Sequence, residues 1–236
     1  SVSIFCYFYP RISLKLIFDS ETMKNILQKK VSSLLLLTAA FLMIYMPGIG
    51  FPYTFCLISS FVLLSIFLQD GNLQSLNFKK IGGKELKTII LCYLALELSI
   101  DFLIDPLINW ICNESADYSM FSSIKGNTSL YLSWLMKMWI SAAIGEELLF
   151  RAFTFSQMQR VIGDRKTIIV MLSALMFSLP HLYQGIPGLL STFVFGIAFA
   201  LIYAKFKNIW INIIVHGLVD TLFLTLSYLG LTEFYS

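Results

Sequence analysis

The chain has 236 residues, of which 57% are hydrophobic and only 13% charged, with a net charge of +3 and a mean hydropathy of +0.77. A soluble domain carries about 25% charged residues, so this composition excludes one and describes a polytopic integral membrane protein. The small positive balance supports no nucleic-acid partner, because in a membrane chain the placement of each lysine and arginine carries the information.

Serine opens the chain, and Met23 begins Met-Lys-Asn-Ile-Leu-Gln-Lys-Lys ahead of an apolar run, so residues 1–22 read as an upstream extension or disordered N-terminus. The Lys-rich start has the look of a secretory signal, but Thr38-Ala39-Ala40 makes a poor cleavage site, and an uncleaved helix is expected. Apolar runs long enough to cross a bilayer lie near 31–46, 51–68, 88–104, 128–158, 167–182, 188–204 and 208–229. The breaks between them carry turn chemistry, among them Pro47-Gly48, Gly71-Asn72, Gly82-Gly83, Asp105-Pro106, Gly163-Asp164 and Pro187-Gly188. The predicted fold is all-α, a transmembrane helix bundle of about seven spans, divided into N-terminal spans (23–127), a polar-residue-bearing core (128–229) and a tail (230–236).

Lysines and arginines fall in alternate loops: Lys24, Lys29 and Lys30; Lys79, Lys80, Lys84 and Lys87; Arg160, Arg165 and Lys166; Lys205 and Lys207. The positive-inside rule then puts the N-terminus in the cytoplasm and the C-terminus outside. The four cysteines, Cys6, Cys56, Cys92 and Cys112, are scattered and give neither a disulfide framework nor a metal-ligand spacing.

Against this apolar background the run Gly-Glu-Glu-Leu-Leu-Phe-Arg stands out, because a charged side chain near the bilayer centre costs about 2.5 to 3.5 kcal/mol. At ~1.5 Å per helical residue, Glu146 and Glu147 lie about 17 to 20 Å from the cytoplasmic face and His181 about 21 Å. His216 and Asp220 come out at about 12 and 18 Å, so three separate spans deliver polar groups to one layer, including both histidines of the chain. Glu147 and Arg151 are four apart and share a helix face, while Glu146 points about 100° away; the arginine can neutralise one acid and leave the other free. His216 and Asp220 share a face in the same way, with Asn212 a turn earlier. Pro180 is expected to disturb the backbone beside His181.

Two plainer readings compete with a reactive site. Glu147 and Arg151 can be a structural ion pair, and intramembrane histidines can serve as interhelical hydrogen-bonding groups. Glu97 and Asp101 share a face of the third span and read as structural, with Lys137 as a counter-ion for them or for Asp105. The hydrolase signatures HExxH, GxSxG and GxGD are absent.

Glu146-Glu147-x-x-x-Arg151, Phe177-x-x-x-His181 and His216-x-x-x-Asp220, in this order on successive helices, resemble the three motifs of the CPBP (CAAX protease and bacteriocin-processing, or Abi) family of intramembrane proteases. The resemblance covers about residues 128 to 229, and one departure is Asp220, where eukaryotic CAAX endopeptidases often have Asn. It implies hydrolysis of a peptide bond of a membrane-associated peptide or protein tail. Glu146 and His181 would activate water, His216 and Asp220 would complete the site, and Glu147 with Arg151 would keep Glu146 aimed. The chemistry is coherent, since a desolvated carboxylate is a stronger general base near neutral pH and imidazoles can orient the water or donate to the oxyanion.

Glu146, His181, His216 and Asp220 also have the composition of a His-His-carboxylate zinc site, while the same residues can work without metal as a glutamate-type protease. The cofactor is therefore none or Zn. The resemblance places the chain with membrane lipid and a peptide or protein substrate, in a bacterial plasma membrane. A non-catalytic membrane binding protein, such as a bacteriocin self-immunity factor, is the rival from another class. A transporter or proton relay would call for inverted repeats, and none is visible.

Overall fold

The computed structural model describes residues 20–231, so Cys6 and most of the predicted N-terminal extension and C-terminal tail lie outside it. Among the described residues every regular element is helical and there is no strand. A short amphipathic helix, α1 (Ser20–Leu27), leads into α2 (Lys30–Leu42), α3 (Tyr53–Asp70) and α4 (Gly83–Ser99). α4 runs through a π-helical turn, Ile100–Ile104, into α5 (Asp105–Cys112). After a 3₁₀ turn comes one long helical run made of α6 (Thr128–Lys137), a π-helical segment (Met138–Phe153) and α7 (Thr154–Ile162). The chain closes with α8 (Lys166–Ser178), a 3₁₀ segment (Leu179–Gln184), α9 (Gly185–Phe206) and α10 (Ile209–Leu229).

Among the described residues three helical segments are long and apolar enough to cross a bilayer: Tyr53–Asp70, Lys166–Phe206 and Ile209–Leu229. Lys30–Tyr45 is apolar but shorter. The protein is thus an integral membrane protein, and large apolar side chains such as Leu98, Phe102 and Trp110 stand on its outer surface where lipid would cover them.

Lys166–Phe206 is too long for one straight span, and it doubles back. Pro180 cannot donate a helical hydrogen bond, and Gly185 adopts a left-handed φ of +79° that a side chain would strain, so the segment between them turns the chain and α9 packs on α8. The return is close. A Cβ at Gly196 would meet the Ala174 Cα at 2.9 Å, which leaves room for glycine alone at that crossing. Gly196→Val is expected to force α8 and α9 apart and to destabilise the protein by about 1 to 3 kcal/mol, read as a lowered thermal midpoint in detergent.

The π-helical segment is the spine of the molecule, packed by α3 on one side and α10 on another. Hydroxyls add to the bonding of its last carbonyls: Thr154 Oγ1 donates at 2.9 Å to the Leu149 carbonyl, which also accepts from the Thr154 N–H, and Ser173 Oγ of α8 donates to that of Phe150 at 2.6 Å. Towards the end of α3, Gln69 and Gln157 exchange amide hydrogen bonds of 3.1 and 2.8 Å. Beside them Arg160 Nη2 bonds both oxygens of Asp70 at 2.7 and 2.8 Å. These contacts fix α7 on α3 and so set the register of the acidic pair further up the spine.

Candidate active site

Glu147 and Arg151 are both fully buried and paired at 2.9 Å along the spine. Two further groups reach the same carboxylate from α10: His216 Nδ1 donates to Glu147 Oε1 at 2.9 Å, and Asn212 Nδ2 donates to Oε2 at 3.1 Å. The guanidinium carbon lies 4.2 Å from the Phe177 ring centre and 5.0 Å from that of Phe199, and Phe199 also stacks on His216. A buried cation is thereby met by one carboxylate and two ring quadrupoles. Asn212 Nδ2 also donates to the Phe199 carbonyl at 2.8 Å, so this one amide ties α10 to the spine and to α9. Asn212→Leu is expected to leave Glu147 Oε2 without its donor and to lower stability by about 1 to 3 kcal/mol, measurable as a shifted denaturation midpoint.

The other members of the motifs open onto a cavity of about 420 Å³. Glu146, His181, His216 and Asp220 all line it. Glu146 is 8% exposed, and among the described residues no ion pair or hydrogen bond holds its carboxyl. The two acids of the Glu-Glu pair thus have separate surroundings: Glu147 is locked by Arg151, His216 and Asn212, and Glu146 faces open space.

The histidines are oriented by their Nδ1 atoms. His181 Nδ1 lies 3.0 Å from the Phe177 carbonyl, which can only accept, so Nδ1 carries the proton and Nε2 offers a lone pair. His216 Nδ1 donates to Glu147, which turns Nε2 towards Asp220 Oδ2 at 3.8 Å. The sequence allowed either imidazole to donate to an oxyanion. With this pairing a neutral His181 is an acceptor, and His216 donates through Nε2 only when doubly protonated. The 3₁₀ turn that holds His181 is pinned from the loop between α5 and α6, where the Asp117 N–H donates to the Gln184 carbonyl at 3.0 Å. The hydrogen bonds from Ser119 hold the exposed Asp117 carboxyl below the usual carboxylate range.

The same cavity is lined by Glu97, Asp101 and Asp105, which the sequence reading took as structural. A depth count along α4 would have found them, since Glu97 lies fourteen residues beyond Gly83, about 21 Å. The expected counter-ion is not in place: Lys137 Nζ sits 5.4 Å over the Trp134 ring and makes no ion pair with these acids. Asp105 accepts instead from Ser191 Oγ of α9 at 2.6 Å.

Among the described residues no three His, Cys, Asp or Glu side chains come together in an arrangement that could hold a metal ion. His216 has Nδ1 committed to Glu147, and His181, His216, Glu146 and Asp220 stand around the cavity wall without converging on one point. The donor set as arranged does not fit a zinc centre.

Residues 128–222 match the model of a protein family described as Rce1-like, type II CAAX prenyl endopeptidase Rce1-like. No curated protein and no solved structure matches the chain. The matched stretch contains Glu146, Glu147, Arg151, His181, His216 and Asp220, and the likeness of this region to the CPBP intramembrane proteases is shown by it. The matched family is one of proteases.

Proposed function

We propose that the protein is an intramembrane endopeptidase that cleaves a peptide or protein tail at the membrane, with Glu146 as general base. The observation that carries this reading is the separation of the two acids: one fixed by three partners, the other free in a cavity shared with His181, His216 and Asp220. A water between Glu146 and His181 Nε2 loses its proton to Glu146 as its oxygen attacks the scissile carbonyl. The same proton then passes from Glu146 to the departing amine nitrogen, so the base ends as it began. A protonated His216, with Asp220 beside its Nε2, stabilises the negative charge on the tetrahedral oxygen.

In this reading the helical segments form seven spans with the N-terminus cytoplasmic and the C-terminus outside. The alternation of basic loops and the lipid-facing apolar surfaces support that arrangement. The experiment compares peptides released by cells carrying the wild-type protein with those from cells carrying Glu146→Gln. New peptide ends confined to the wild type support proteolysis. If Glu146→Gln and His181→Ala protect cells from a bacteriocin as the wild type does and no ends differ, the protein acts by binding. Chelation with metal readdition, and elemental analysis of the purified protein, decide the zinc question.

A further inference from the structure

At one end of the bundle three separate stretches meet: the link from α3 to α4, the start of α8, and the turn between α9 and α10. The first is strapped to the third by hydrogen bonds from the Ile209 N–H to the Asn77 carbonyl (3.1 Å), from Asn77 Nδ2 to the Tyr203 hydroxyl (2.9 Å) and from Asn208 Nδ2 to the Lys80 carbonyl (3.4 Å). The start of α8 reaches the same level because α9 doubles back along it. Counted from the crossing of Ala174 and Gly196 at ~1.5 Å per residue, Lys166 and Lys207 lie about 12 and 16 Å away in the same direction. Residues 77–81, 163–168 and 205–210 carry Lys79, Lys80, Arg165, Lys166, Lys205 and Lys207, and a single acid, Asp164. Asp164 Oδ2 is 3.8 Å from Lys166 Nζ, and with both side chains exposed that pair is screened and weak.

Lys207 ends α9 with a φ of +48°, in the left-handed region where glycine is the relaxed choice. The other non-glycine residues with positive φ among the described residues, Asn77 and Asn113, are asparagines, which tolerate it. The Lys207 side chain is half-buried, with Nζ 5.2 and 5.4 Å from the ring centres of Phe155 and Tyr203. Among the described residues no carboxylate comes within ion-pair distance of it. Burial holds its pKa below the usual lysine range, Asp164 opposes that shift, and Lys166 and Lys79 add to it. The chain thus keeps a cation at a strained position, over an aromatic floor and beside two other lysines.

Positive charge gathered with so little to balance it calls for an anion, and the neighbouring side chains identify its source. Phe78 and Trp210 have ring centres 5.6 Å apart, adjoin Lys79 and Lys207 in the chain, and are 39% and 37% exposed. Ile81 and Ile168, each two residues beyond a lysine, are exposed as well. Lysines set among exposed aromatic and aliphatic groups, on a protein of the bilayer, match the border between headgroups and acyl chains. We propose that Lys79, Lys166 and Lys207 bind the headgroup of an anionic phospholipid, with Phe78 and Trp210 against the upper part of its acyl chains. None of these five residues lines the cavity that holds Glu146, so the site stands whether or not the protein cleaves peptides.

In the test, the purified full-length protein in detergent is titrated with phosphatidylglycerol or with phosphatidylcholine of the same acyl chains, and bound lipid is counted by native mass spectrometry. A lysine near an anionic headgroup contributes about five-fold in affinity, so wild type is expected to prefer phosphatidylglycerol by at least about thirty-fold. Lys207→Gly is expected to stay folded, because glycine relaxes the left-handed turn, and to lower that preference about five-fold. Lys84→Gln combined with Lys87→Gln removes two exposed lysines of α4 and is expected to leave the preference within about two-fold of wild type. Equal affinity of wild type for the two lipids overturns the proposal, and that comparison needs no variant to fold. An unchanged preference in Lys207→Gly overturns it too, as does an equal loss in the α4 variant, which would assign the effect to general surface charge. Displacement of phosphatidylglycerol by inorganic phosphate at the same concentration overturns the lipid assignment and makes the ligand a free phosphate.

Discussion

Glu146→Gln is expected to lower the rate of peptide cleavage by about 10²- to 10⁴-fold, the contribution of a positioned general base. The amide keeps the shape of the side chain and cannot take a proton from water. The thermal midpoint is expected to stay level or rise, because among the described residues no partner depends on that carboxylate and a buried charge is removed. Single-turnover rates on a cleaved peptide, measured beside thermal unfolding in the same detergent, check both halves. Undiminished cleavage would remove Glu146 from the mechanism. Lost cleavage with a collapsed fold would assign it a structural part.

The neighbouring pair should behave in the opposite way. Arg151→Met leaves Glu147 buried without its cation, and breaking one side of a buried ion pair costs about 3 to 5 kcal/mol. Arg151→Lys should recover little of this, since an ammonium lacks the delocalised, weakly hydrated plane that the guanidinium brings to the Phe177 and Phe199 rings. Glu147→Gln should lose stability too, and it also weakens the hold on His216 Nδ1. The double variant Arg151→Met with Glu147→Gln is expected to cost clearly less than the sum of the two single changes, because it removes both charges together. Denaturant midpoints of the four proteins measure that coupling, and strict additivity would show that the pair contributes nothing as a pair.

Much of this architecture was legible because a bilayer imposes simple rules on a sequence. Apolar runs near 51–68 and 208–229 correspond to α3 and α10, and the break at Pro187-Gly188 anticipated a turn that the structure places a few residues earlier, at Leu179–Gln184. Depth arithmetic grouped Glu146, His181, His216 and Asp220 because rise per residue is nearly constant, and the four do line one cavity. Contacts between helices were not legible. Spacing relates His216 to Asp220 on one helix, but the 2.9 Å bond from His216 to Glu147 depends on how α10 is rotated against the spine, which no periodicity reports. The π-helical character of Met138–Phe153 also left no sequence signal, since its i→i+5 bonds, such as that from the Thr154 N–H to the Leu149 carbonyl, are made by the backbone. Glu97 and Asp101 read as structural from the sequence because Lys137 is within helical reach as a counter-ion, and the structure sends that side chain to Trp134.

The Glu147–Arg151 pair is made within a single helical run, whereas Asn212 and His216 join it from α10 at the far end of the chain. During biogenesis the spine therefore leaves the insertion machinery with its acid and its base already neutralising each other, before α10 has been synthesised. Docking of α10 then brings His216 and Asn212 onto a carboxylate that is already paired, so a chain truncated before α10 keeps the Glu147–Arg151 pair and lacks both of these hydrogen bonds.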